Sequence, residues 1–193
     1  MMLREEATDP PEERAQEALE RGDRAEALTL LREAYGPAVY RFCRQMVTDA
    51  GLAEDVHQLT FVQAYEGLER FAGRSSLRSW LYGIARHRCL DALKARKRRL
   101  RIVHCVPTLP ETRDEGADPE ESALERGVQE AVERCLEGLD PRQKAAVLLR
   151  FQSGLTYPEM AEACRERPAT LQARVTRALP ALRLCLEGRG IQP

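Results

Sequence analysis

Ala50–Arg99 reads AGLAEDVHQLTFVQAYEGLERFAGRSSLRSWLYGIARHRCLDALKARKRR, and its three parts decide the fold. In the first part Val56, Leu59, Phe61, Val62, Tyr65 and Leu68 recur at helical spacing, which predicts an amphipathic helix over Ala50–Arg70. Phe71–Ser76 is a short Gly/Ser turn. Ser75 or Ser76 can cap a second helix, because a hydroxyl accepts from the free N–H groups of a first helical turn. Leu77, Trp80, Leu81, Ile84 and Ala85 give that second helix its apolar face. Its end is basic, with six Lys or Arg between Lys94 and Arg101. Six cations exceed what the negative end of a helix dipole needs, so contact with a nucleic-acid backbone is the better reading.

Upstream, residues 1–22 read as a tail, disordered or partly helical, with Asp9-Pro10-Pro11 at its start and a helical composition over Glu12–Glu20. Asp23 can cap a helix whose apolar face is Ala27, Leu28, Leu30, Leu31, Ala34 and Tyr35. Gly36-Pro37 predicts a kink or a fresh start, since proline removes a backbone donor. Val39, Phe42, Cys43, Met46 and Val47 carry the stripe on, so residues 23–101 form one predicted domain. Residues 102–125 lose the periodicity and gain prolines and acids, which predicts a flexible acidic linker.

Residues 126–187 read as a second helical domain, followed by a 188–193 tail. Val132, Cys135, Leu136 and Leu139 make one stripe. Asp140-Pro141 starts a helix with Asp as cap and Pro at the first position; Ala145, Ala146, Leu148, Leu149 and Phe151 are its expected core face, and Gly154 its end. Thr156 and Glu159 have capping-box spacing, with Met160, Ala161 and Cys164 apolar behind them. A three-residue turn then leads to a helix from Pro168. That is helix-turn-helix spacing, in which the second helix enters a major groove. The expected fold is all-α, with two small helical domains.

Lys plus Arg number 30 against 31 Asp plus Glu, for a net charge of −1. That balance argues against uniform nucleic-acid binding and leaves room for local basic patches. No apolar run approaches the roughly eighteen residues of a membrane span, and the first residues lack the apolar core of a signal peptide. A cytoplasmic protein without membrane insertion is expected. The six cysteines are scattered, with no metal-ligand spacing, and read as small buried hydrophobes. No nucleophile–base pair or phosphate loop appears, so neither an enzyme nor a cofactor is expected.

Glu54-Asp55-Val56-His57-Gln58 with Phe61 resembles the polymerase-docking helix of bacterial extracytoplasmic function (ECF) sigma factors. Ser76-Leu77-Arg78-Ser79-Trp80 through Arg86, with Asp91, is similar to the promoter-melting helix of the same family, except that His87 stands where asparagine is usual. Leu139–Arg183 resembles sigma region 4. The resemblance implies a factor that binds core RNA polymerase and directs initiation at promoter DNA. It assigns polymerase contact to Glu54, Asp55, Gln58 and Phe61. It assigns minus-ten DNA to Phe71, Arg74, Ser75, Ser76, Arg78, Trp80, Arg86, His87, Lys94, Arg96 and Lys97. It assigns minus-35 DNA to Arg167, Thr170, Gln172, Arg174 and Arg177. Arg165, Gln172 and Ala173 depart from the usual Gly, Lys and Ser, and Pro180 should kink the last helix. Those departures sustain an alternative, a degenerate sigma-like or helix-turn-helix regulator with weak minus-35 recognition. Whether an anti-sigma factor holds the chain is left open by its residues.

Overall fold

The structure, a computed structural model, describes residues 10–102 and 123–191. In chain order its helices are α1 (Pro10–Glu20), α2 (Arg24–Val47), α3 (Ala50–Leu68), α4 (Leu77–Ile102), α5 (Ala123–Glu137), α6 (Pro141–Val147), α7 (Tyr157–Cys164) and α8 (Pro168–Glu187). No strand occurs among the described residues. Side-chain oxygens satisfy the donors that a helix start leaves open. Asp23 accepts from the Glu26 N–H at 2.9 Å and Asp49 from Leu52 at 2.7 Å. Ser76 Oγ accepts from Ser79 at 3.0 Å and Asp140 from Arg142 at 2.9 Å. Thr156 and Glu159 complete the expected capping box of α7.

The helices α1–α4 form one bundle around Leu31, Val39, Phe42, Val47, Leu77 and Leu81, all fully buried. Helix α1 is built into it: Ala15 and Ala18 are buried against α2, and the Glu12 carboxylate accepts from the Leu77 N–H that opens α4. Pro10 and Pro11 thus start a helix, which proline tolerates in a first turn. Of the kink or fresh start expected at Gly36-Pro37, the fresh start does not occur: α2 continues through Pro37 to Val47. A residue before proline resists the α conformation partly through its Cβ, and Gly36 has none.

The second bundle, α5–α8, closes on Leu149, Leu155, Met160, Leu171 and Val175. Leu148–Gln152 after α6 is a π turn instead of the continued α-helix expected. The extra residue in such a turn shifts the phase of the residues after it, so Phe151, expected in the core, is 61% exposed. Helix α8 continues past Pro180 to Glu187. Helices α4 and α5 reach Ile102 and Ala123, into the two ends of the predicted linker; the rest of that linker, like residues 1–9, lies outside the described residues.

The cysteines depart from expectation in one respect. Cys43, Cys89 and Cys164 are free and buried, as small hydrophobes would be, but Cys135 on α5 and Cys185 on α8 are joined by a disulfide. Scattered spacing conceals such a pair, because fifty positions of chain separate the two. Cys105 lies outside the described residues.

The two bundles share one continuous core and meet along a seam between α4 and α7. A Cβ on Gly83 would lie 2.4 Å from the Ala163 carbonyl oxygen, so only glycine permits this approach.

Candidate functional site

Helix α3 has two apolar faces. Ala53, Val56, Phe61, Ala64 and Leu68 face the core. Leu59 (53% exposed), Val62 (56%) and Tyr65 lie outside, on the turns that also carry exposed Asp55 and Gln58. Phe61, assigned to polymerase contact by the resemblance, is therefore a core side chain; it meets the His57 ring edge-on at 5.1 Å. Glu54, Asp55 and Gln58 are exposed as expected, with Gln58 Nε2 donating to Glu54 at 3.4 Å. His57 is half-buried, bonds the Gly36 carbonyl at 3.1 Å, and meets Tyr40 edge-on. Its Nε2 must carry the proton in that bond. Burial lowers its pKa from 6.5, against the Gly36 bond and the Glu54 charge, which raise it, while Arg32 adds to the lowering.

Between α3 and α4 the chain turns through Gly73 at φ +62°, a left-handed conformation cheap for glycine. Phe71 and Trp80 pack on each other with ring centroids 5.3 Å apart, and the indole edge lies over Gly67, where a Cβ would come within 2.8 Å. Both rings are partly buried, Arg74 is exposed, and Ser75 and Ser76 are half-buried. Past this turn α4 divides by face. His87, Lys94 and Lys97 are exposed, with His87 and Lys94 paired to Asp91 at 3.2 and 3.4 Å, and Arg96 is half-exposed. Arg88 donates to Gln63 at 2.5 Å. Arg78 and Arg86 instead face the seam: Arg78 donates to the Ser153 carbonyl, and Arg86 is buried.

On the second bundle Arg167, just before α8, and Thr170, Gln172 and Arg177 on it are exposed. Arg174 is not free. It binds Glu166 at 2.5 Å, and the same carboxylate binds Arg86 at 2.6 Å. One carboxylate thus joins an expected minus-ten contact to an expected minus-35 contact. The hydrogen bond from Arg174, more than any other influence, holds the Glu166 carboxyl below its ordinary pKa of 4.5, and Glu166 in turn raises Arg174. The sequence reading overlooked Glu166, which sits in the turn between α7 and α8, eighty positions from Arg86. Its signal was weak, a lone acid among Arg165, Arg167 and the arginines of α8.

Deeper in the seam, Lys144 of α6 is buried, and desolvation lowers its pKa against the charges of Glu137 and Glu133 on α5. Cys89 stands near it and is raised chiefly by its hydrogen bond with Cys43. Burial pushes the Cys164 thiol up to about 11. Among the described residues no group of three or more His, Cys, Asp or Glu could hold a metal ion. No described helix is long and apolar enough to cross a membrane.

Residues 31–99 match the Sigma-70 region 2 family, and residues 129–182 match the Sigma-70 region 4 family. The chain is 34% identical over 150 residues to the ECF RNA polymerase sigma factor SigC of Mycobacterium tuberculosis, with 75% of each chain covered. It is 32% identical over 166 residues to SigG of the same species, covering 76% of this chain and 45% of SigG, and so spans less than half of that relative. The sigma factor RpoE, solved in complex with the anti-sigma factor NepR from Bartonella quintana, shares the fold: the TM-score is 0.67 at 24% identity, covering 81% of this chain and 94% of that one.

Proposed function

Because the chain belongs to the ECF RNA polymerase sigma factors, we propose that it binds core RNA polymerase, brings it to promoter DNA and helps separate the strands of the minus-ten element. The observation that carries this reading is the exposed strip of α3. Asp55, Leu59, Gln58, Val62 and Tyr65 share one face, and apolar side chains left in water at a charged rim suit a protein partner. Leu59, Val62 and Tyr65 take the place in this proposal that the sequence reading gave to Phe61.

The turn Phe71–Ser76 and the outer side of α4 are proposed to hold the non-template strand. A flipped base needs an apolar wall and polar partners, and the Phe71–Trp80 pair beside Arg74, Ser75 and Ser76 has both. Lys94, Arg96 and Lys97 would meet phosphates. On α8, Thr170, Gln172 and Arg177 would face the minus-35 groove, with Arg174 joining them once it leaves Glu166. Separating strands in this way takes binding energy and no covalent step. An anti-sigma factor, of the kind bound to RpoE in the NepR complex, is a further proposed partner. These partners set the protein's work in the cytoplasm.

The test is transcription by core polymerase with this protein on a promoter library. Specific transcripts that require the protein are expected. Holoenzyme formation without specific transcripts would favour the degenerate sigma-like alternative, and failure to bind core polymerase would overturn the reading.

A further inference from the structure

We propose that Cys135 and Cys185 are a reversible redox site, oxidised by hydroperoxides and reduced by dithiols, whose state sets how firmly α5 is fastened to α8. The disulfide sits where α8 packs thinly. In α8 the buried residues are Leu171, Val175 and Ala178, and none follows Pro180. Leu184 there is 70% exposed. Pro180 also withholds the N–H that would bond the preceding turn. Between α5 and the end of α8 lies a cavity of about 280 Å³, lined by Val132, Leu136, Leu182, Leu186 and exposed Phe151, with Cys135 in its wall. Apolar contact alone therefore holds these two segments poorly, and the covalent bond supplies the tie. Cys185 lies past residue 182, where the match to the region 4 family ends, so the bond uses a part of α8 outside the shared domain.

The chemistry rests on accessibility. Cys185 is half-buried and Cys135 is buried, so Cys185 is the sulfur a small oxidant reaches first. Its thiolate attacks one peroxide oxygen, breaking the O–O bond and giving a sulfenic acid and hydroxide, which leaves as water. The Cys135 thiol then attacks that sulfur, the S–S bond forms, and the sulfenic oxygen departs as a second water. One peroxide is reduced to two waters and one dithiol is oxidised. A dithiol reverses the step by two exchanges, itself becoming a disulfide. The free cysteines Cys43, Cys89 and Cys164 are buried and stand outside the reaction. The consequence reaches the seam, because α5 carries Glu133 and Glu137, the charges that offset burial of Lys144. Loosening α5 withdraws them.

The test uses the full chain, prepared with a dithiol and then treated with hydrogen peroxide. Differential alkylation with peptide mapping should find Cys135 and Cys185 labelled after reduction, linked to each other after peroxide and labelled again after a second reduction. Hydrogen exchange over α5 and residues 181–187 should be at least about tenfold faster in the reduced chain, and Cys185→Ser should match the reduced chain under both conditions. The reduced wild-type chain supplies the same comparison should the variant not fold. Cys135 and Cys185 left as thiols by peroxide, a bond to another cysteine instead, or exchange indifferent to redox state would overturn the proposal.

Discussion

Arg165 holds a left-handed backbone, φ +52°, at the end of α7, where a side chain incurs a steric cost that glycine avoids. Its side chain is exposed and its backbone N–H closes the helix, so the residue type matters less than the conformation. Arg165→Gly should stabilise the chain by about 1 kcal/mol, read as a raised midpoint in urea denaturation. The sequence exposed this position because the turn demands positive φ whatever residue fills it. The partner of His57 was not legible in the sequence, since the Gly36 carbonyl comes from another helix. The His57 pKa is lowered in the folded chain, so the unfolded chain takes up the proton first as pH falls. Stability should therefore decline from 6.5 downward until the folded pKa is passed. His57→Gln should flatten that part of the pH profile while keeping a donor for Gly36, and equal slopes in both proteins would refute the assignment.

At the scale of the element, α3 explains where sequence reading stops. Its apolar positions cover more than half of the helix circumference, so periodicity identifies a helix but cannot say which apolar side turns inward. Val56, Phe61, Ala64 and Leu68 go in, leaving Leu59, Val62 and Tyr65 outside. The two groups should answer mutation differently. Phe61→Ala empties a core site and should cost about 3–5 kcal/mol of stability. Leu59→Asp should leave the denaturation midpoint nearly unchanged and weaken capture of core polymerase in a pull-down. Unchanged capture by a folded Leu59→Asp protein would move docking off this face. Hydrophobic spacing was similarly blind to the π turn at Leu148–Gln152, which turned Phe151 outward, because nothing in apolar spacing marks where one extra residue enters a turn. The caps at Asp23, Ser76, Asp140 and Thr156 are legible in the sequence because each depends on a residue and its near neighbours in the chain.

For the whole molecule, the two bundles and their helix-turn-helix were legible, whereas the seam between them was not. Its members, Gly83 with Ala163 and Arg86 with Glu166, lie eighty positions apart, and no local pattern couples them. On the proposed assignment of Arg86 and Arg174 to DNA, the seam would govern DNA reading, for while it is closed both are held by Glu166. Opening should free them together. Glu166→Gln removes the charge and keeps the shape, and should raise the affinity of the free chain for promoter duplex while lengthening the molecule in small-angle scattering. Gly83→Leu attacks the same seam without touching an ion pair, because its Cβ would collide with the Ala163 carbonyl. Acid supplies a third route. The Glu166 carboxyl is held below 4.5, so its stabilisation of the closed form is present above that value and lost as pH falls through the folded pKa. All three perturbations should expand the free chain, and the two variants should bind duplex more tightly at neutral pH. If both variants scatter as the wild type does, the bundles are held by something other than this seam. If they expand and gain no affinity, Arg86 and Arg174 are not the side chains that read DNA.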